Sequence, residues 1–125
     1  MGIIKENIVL YGEKGDLKTE ALFDSGATFS FIKKNIAEKL GNISKLKVSK
    51  TFNTAEIGRE ILIDERIVLD FLIDGETLSD EFMVSESLNK DILIGASTMQ
   101  KWRIKLDFDN DKALVDHEIA TLNIM

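Results

Sequence analysis

The sequence predicts a mainly β fold, a closed or strongly curved antiparallel sheet carrying two short helices. Three observations predict it. From Glu60 to Ile73, the residues Ile61, Ile63, Ile67, Leu69, Phe71 and Ile73 share a period of two, which sets side chains on one face of a strand, while Val68 and Leu72 fall on the other face. Short apolar runs elsewhere are bounded by turn signals, the strongest being Asp74-Gly75, a pair favoured in tight hairpins. Only Lys33 to Leu40 and Ala96 to Trp102 read as helix. Many short strands with so little helix close on themselves or curl strongly.

Taken in order, Ile3 to Leu10 is a strand and Tyr11-Gly12-Glu13-Lys14-Gly15-Asp16 a turn with two glycines. Leu17 to Phe23 alternates in part and returns as the second strand of a hairpin that delivers Asp24. Phe29 to Ile32 is a third, short strand. Lys33 to Leu40 places Ile36, Ala37 and Leu40 on one helical face, and Gly41 suits the residue after a helix end. Lys47 to Thr54 is a weakly patterned strand, Ala55-Glu56-Ile57-Gly58 a hairpin tip, and Glu60 to Ile73 the strand leading back. Thr77 to Val84 follows the Asp74-Gly75 turn. Asp91 to Ile94 is short and apolar and stops at Gly95, before the second helix. Ile104, Leu106 and Phe108 alternate with Lys105 and Asp107 in a half-buried strand, Asp109-Asn110-Asp111 turns it, and Ala113 to Val115 returns. Ile119 to Met125 reads as a final strand. There is no repeat, linker, low-complexity segment or proline.

The 125 residues read as one domain spanning 1–125, long enough to bury roughly two-thirds of the unfolded surface. A formal net charge of -6 argues against a nucleic-acid partner and against docking on an anionic membrane. The absence of cysteine excludes disulfides, thiolate nucleophiles and cysteine metal sites, and His117, the single histidine, excludes a multi-histidine zinc site. No cofactor is expected. Lys5, Glu6 and Asn7 interrupt the apolar residues of the first ten positions, so these do not read as a signal peptide. No run approaches the ~18 apolar residues of a membrane span. The expected location is the cytoplasm.

The stretch that carries chemistry is Leu22-Phe23-Asp24-Ser25-Gly26-Ala27-Thr28. An apolar pair ends a buried strand and Asp24 meets the turn. Gly26 admits unusual backbone angles there. A carboxylate in such a place is costly unless hydrogen-bonded, and Ser25 with the N–H groups of Gly26 and Ala27 are the candidate donors. Asp-Ser-Gly by itself also marks ordinary turns. With its flanks it resembles the active-site signature of aspartic proteases. A second stretch, Ile92-Leu93-Ile94-Gly95 ahead of a short helix, is similar to the late motif of the retroviral-type members, whose strand crosses beside the catalytic loop. Gly95 would permit that close approach. The two motifs stand in the right order with a flap-like hairpin between them, so the resemblance to the retropepsin-like, single-lobe aspartic proteases covers residues 3–108. Ala96 and Ser97 depart from it: the charged residues that form an ion pair there in relatives are missing, which leaves open how the helix is anchored. The hairpin from Arg103 to Val115 looks more like cellular and prokaryotic relatives, while Thr121-Leu122-Asn123-Ile124 is similar to the viral interface strand.

The resemblance implies a closed acid-protease-like barrel, active as a symmetric homodimer, and an aspartic endopeptidase acting on peptides or unfolded proteins. Hydrolysis by this route needs two carboxylates on one water, one as base and one as acid. This chain has one Asp-Ser-Gly, so Asp24 of each subunit would meet at a two-fold axis. The resemblance implies that the pair shares one proton, since two adjacent carboxylates do not both ionise easily. Ser25 would brace the two loops, with Gly26, Ala27 and Thr28 supporting, and the Gly26 carbonyl would meet substrate backbone. Ala55, Glu56, Ile57 and Gly58 would form a flap tip over an extended peptide, Ile57 touching its side chains; a mobile surface loop is the plain alternative. The rival function is a non-catalytic dimerisation or peptide-binding module on the same fold, and an unrelated small β domain is a third reading.

Other signals read as structure. Asp107-Phe108-Asp109-Asn110-Asp111 imitates a calcium loop, but Lys112 replaces the expected glycine and the flanks are strands, so a solvated turn is expected. His117 beside Asp116 lacks the nucleophile elbow of a serine triad and reads as a surface histidine. Trp102 and Phe108 read as core. Lys45, Lys47 and Lys50 read as a solvated edge.

Overall fold

The structure is a computed structural model and describes residues 2–54 and 59–122. Among the described residues, nine strands and three short helices follow one another as β1 (Ile3–Gly12), β2 (Gly15–Asp24), β3 (Phe31–Lys33), α1 (Lys34–Leu40), β4 (Ser44–Thr54), β5 (Arg59–Ile73), β6 (Glu76–Ser85), β7 (Ile92–Ile94), α2 (Ala96–Lys101), β8 (Lys105–Asp107), β9 (Lys112–Leu114) and α3 (His117–Leu122). The main sheet runs β1-β2-β7-β3-β6-β5-β4. Pairing of Val9, Leu10 and Tyr11 with Leu72, Phe71 and Asp70 joins β1 to β5 and closes six of these strands into a barrel, leaving β4 outside as the open edge. Lys45, Lys47 and Lys50 lie exposed on that edge, as expected.

Closure was legible, but uniform antiparallel pairing was not. β2 pairs with β7, and β3 with β6, in parallel. The reason is that β7 inserts between β2 and β3, parallel to one and antiparallel to the other. Residues 25–30 therefore loop over the end of β7 instead of forming a hairpin. Strand ends also differ from expectation at the first turn. β1 and β2 stay paired out to Gly12 and Gly15, so Glu13-Lys14 alone makes the loop. Gly12 is needed for packing: a Cβ there would collide with the Leu40 carbonyl at the end of α1.

Alternation divides the core in two. Phe23, Ile92 and Ile94 point into the barrel with Phe71 and Phe82, whose rings meet edge to face. Leu22 and Leu93 point the other way, joining Ala27, Phe31, Ile61, Ile63, Met83 and Leu88 in a second cluster against which Phe52 and Leu46 of β4 pack. Asp24 lies two residues beyond Leu22, so it belongs to the face that the β4–β5 hairpin covers. α1 has no side-chain N-cap and is held by burying Ile36, Ala37 and Leu40. Gly41 follows it in extended backbone, donating its N–H to the Ala37 carbonyl.

The C-terminal end departs most. Ile119 onward was expected to be a strand; the described part is α3, capped by Asp116, whose Oδ1 accepts from the N–H groups of Glu118 and Ile119 at 3.1 and 3.2 Å. Positions 123–125 lie outside the described residues. Three helices thus stand among the described residues where two were expected. Phe108, expected in the core, is 54% exposed, whereas Trp102 is buried and donates its indole N–H to the Ser79 carbonyl at 3.1 Å.

Candidate active site

Asp24 ends β2 and is 3% exposed. A carboxylate so placed must be hydrogen-bonded. The Gly26 N–H donates to its Oδ1 at 2.8 Å. Of the other two candidate donors, the Ala27 N–H turns instead to the Asp24 backbone carbonyl at 3.1 Å, closing the turn. The Ser25 hydroxyl points away, 3.5 Å from both the N and O of Gly2. Gly26 was expected to exploit unusual backbone angles, yet it is not among the residues with positive φ; its part is the N–H it offers. Asp24 Oδ2 has no hydrogen-bond partner among the described residues and is not sealed, since no fully buried side-chain polar atom there lacks one.

The late motif lies beside this loop. Ala21, Leu22 and Phe23 pair in register with Ile92, Leu93 and Ile94, all three of which are fully buried. Gly95 then passes so close to residues 27–29 that a Cβ would collide with the Phe29 carbonyl and lie 2.9 Å from the Ala27 oxygen. Two backbone bonds stitch α2 to the loop, from Ala96 N–H to the Ala27 carbonyl at 2.7 Å and from Ser97 N–H to the Thr28 carbonyl at 2.8 Å. These bonds anchor the helix at Ala96 and Ser97, where the charged residues of relatives are missing.

Two residues that sequence reasoning missed complete the junction. The buried Ser30 hydroxyl accepts from the Gly95 N–H at 3.0 Å and meets the buried Thr98 hydroxyl at 2.6 Å. The signal available was a lone serine inside Phe29-Ser30-Phe31, a polar residue in an apolar run that burial obliges to find a partner.

The flap tip, Ala55, Glu56, Ile57 and Gly58, lies outside the described residues. Its stem is described: Thr54 pairs with Arg59, Asn53 with Glu60 and Phe52 with Ile61. Phe52 stands edge-on to Phe29 and Phe31, with centroids 5.1 and 5.5 Å apart. Thr28, Phe29, Phe31, Thr51, Phe52 and Asn53 line a hollow of ≈ 170 Å³ between the loop after Asp24 and the hairpin stem. Phe29 and Phe52 were not singled out in the sequence, because nothing local distinguishes a cleft aromatic from a core one.

Chemically, one carboxylate oxygen is fixed by a backbone donor and the other is open. Such a group can hold a water and accept its proton. Among the described residues no cluster of three or more His, Asp or Glu could hold a metal ion. Asp107 serves as the acceptor of its own turn, bonded by the N–H groups of Asp109 and Asn110 and by the Asn110 side chain. His117 is exposed and contacts Glu76 and Asp74.

Comparison with known proteins agrees with this geometry. A family model described as retroviral aspartyl protease matches residues 7–120. Among solved structures, the retroviral protease-like domain of Ddi1 from Leishmania major aligns with TM-score 0.65 and 19% identity, over 90% of this chain and 89% of that one. A retropepsin-like aspartic protease from Rickettsia conorii aligns with TM-score 0.55 and 23% identity, covering 86% and 85%. EIAV protease, solved with the inhibitor HBY-793, gives TM-score 0.53 and 15% identity over 83% and 91%. No curated protein sequence matches significantly. At these identities the structures speak to the fold, a mainly β barrel of the retropepsin kind, while the match across most of the sequence decides the family. The chain belongs to the retroviral aspartyl protease family.

Proposed function

We propose that this protein is an aspartic endopeptidase that works as a homodimer, with Asp24 of each subunit sharing one water. The observation that carries the reading is the setting of Asp24: buried at a strand end, fixed through one oxygen by the Gly26 N–H, and on the face covered by the β4–β5 hairpin. In the reaction, one Asp24 carboxylate takes a proton from the water as its oxygen attacks the peptide carbonyl. The other, protonated, Asp24 gives its proton to the carbonyl oxygen. Collapse of the tetrahedral intermediate breaks the C–N bond, and the leaving nitrogen takes a proton from the pair. The hollow between Phe29 and Phe52, lined also by Thr28, Thr51 and Asn53, would take one side chain of an extended peptide. Residues 55–58 would close over that peptide as a flap and exclude water. The cysteine-free sequence suits a cytoplasmic protein.

The test is cleavage of an unstructured protein between about pH 4 and 7, with and without pepstatin. Asp24→Asn removes the base, so cleavage should vanish while the melting curve of the variant stays cooperative. Peptide binding without cleavage by the wild-type protein would instead identify a binding module. Cleavage retained in Asp24→Asn would refute the assignment.

A further inference from the structure

Packing alone gives α3 little to hold it. The helix is six residues long, too short to stand by itself in water, and none of residues 117–121 is fully buried. It lies on β6, with Ala120 half-buried against the main core. Polar contacts supply the rest, and they converge on the β5–β6 turn. Asp74, held at φ 49° in that turn, accepts from the Val115 N–H at 2.9 Å through Oδ2. The same oxygen lies 3.3 Å from His117 Nε2. On the other side of the ring, Nδ1 lies 2.9 Å from Glu76 Oε2.

One imidazole thus faces a carboxylate with each of its nitrogens. A neutral ring has one N–H and one lone pair, so it satisfies one carboxylate and sets its lone pair against the other. Only the imidazolium donates to both. The charged groups around the ring are acidic: Asp74 from the turn, Glu76 from β6 and Asp116 from the segment before α3. Among the described residues no lysine or arginine forms an ion pair with any of the three. The proton on His117 is the positive charge that offsets them. The Glu76 bond, with the charges of Asp74, Glu76 and Asp116, holds the imidazole above its ordinary 6.5 despite partial desolvation. The docked chain therefore keeps the proton more tightly. Docking is favoured below about pH 6.5, and that advantage is lost as pH rises through the higher value of the docked state.

We infer that His117 is a proton-operated clasp: the charged ring, gripped between Asp74 and Glu76, docks α3 on the barrel, and the neutral ring shifts α3 toward an undocked state. The switch joins the β5–β6 turn to the C-terminal helix within one chain, and it does not involve Asp24.

Two-dimensional NMR between about pH 5.5 and 8.5 tests it, following the His117 ring and amide exchange in residues 118–121 on the same sample. The ring should titrate above about pH 6.5. Protection of the α3 amides, corrected for the intrinsic pH dependence of exchange, should fall about two- to fivefold with the same midpoint, a modest step because the contacts are exposed. Amides of β5 should show no step, which checks that the barrel itself stays folded. Salt at about 0.5 M should shrink the step by screening. His117→Gln should abolish it. His117→Arg, whose charge does not titrate, should keep the protection of the acid form up to about pH 8.5. Glu76→Gln should move the midpoint of the ring down. Protection of α3 that ignores the titration of the ring overturns the clasp, as does a step that survives in His117→Gln.

Discussion

Gly95→Ala should break the junction that holds the loop after Asp24. One methyl group is added, and the backbone of residues 27–29 occupies the space it needs: the Phe29 carbonyl would collide with it and the Ala27 oxygen would lie 2.9 Å away. Neither obstacle is a side chain that can rotate. The strand end and the loop must separate, and the separation acts on three bonds at once: Gly95 N–H to Ser30, Ala96 N–H to Ala27 and Ser97 N–H to Thr28. Overpacking costs about 1–3 kcal/mol. Three bonds at about 1 kcal/mol each add about 3. The sum, about 4–6 kcal/mol, is a large part of the ~5–15 kcal/mol that holds a domain together. Urea unfolding followed by circular dichroism measures it, and the melting temperature should fall by more than about 10 °C. Gly15→Ala is the matched control. No atom lies within 4 Å of a Cβ there, so that change should stay within about 1 kcal/mol of wild type. A Gly95→Ala protein that unfolds within about 1 kcal/mol of wild type would mean that β7 does not approach the loop as described.

Ser30→Ala should cost about 1–3 kcal/mol, because it leaves both the Gly95 N–H and the Thr98 hydroxyl buried without a partner. Thr98→Val should cost less, since Ser30 still accepts from Gly95; equal costs in urea unfolding would refute the hub role of Ser30. His117 links pH to the C-terminal end of the chain. Its imidazole bonds Glu76 at 2.9 Å and lies 3.3 Å from Asp74, and the Glu76 bond, supported by the charges of Asp74, Glu76 and Asp116, raises its pKa above 6.5. A raised pKa means that the folded chain holds the proton more tightly. The contribution to stability is therefore fully present below about pH 6.5 and lost as pH rises through the folded value. His117→Gln should flatten the fall in melting temperature from pH 6.5 upward relative to wild type, and identical slopes would exclude the linkage.

The parts of the fold legible in the sequence are those where one residue sees its own surroundings. The period of two in β5 marks a strand whatever pairs with it, and Asp74-Gly75 takes positive φ at both positions, 49° and 77°, as a tight hairpin of this pair requires. The course of β7 was illegible as a pairing, because three apolar residues carry no record of which neighbours lie parallel. Gly95, by contrast, recorded a close backbone approach that only the fold could supply. At the site, Asp24 and its loop were readable as a motif. The direction of the Ser25 hydroxyl was not, since it depends on Gly2, distant in sequence and brought near by the β1–β2 hairpin. α3 was misread because Ile119 and Leu122 suit either period over so short a run, and the capping role of Asp116 was overlooked.

The missing ion pair at Ala96 and Ser97 bears on how such a loop is specified. The groups that hold α2 to the loop after Asp24 are the N–H donors of residues 96 and 97 and the carbonyls of 27 and 28, which almost any side chains would leave in place. Side-chain identity matters at Gly95, which must be small, and at Ser30 and Thr98, which join the two strands through hydroxyls. A backbone-stitched loop can therefore lose its charged brace and still present Asp24 at the same strand end. What the stitching cannot provide is the second carboxylate. It fixes a single buried Asp24 carboxylate, and the proposed hydrolysis needs a second one, which on that reading comes from another copy of the chain.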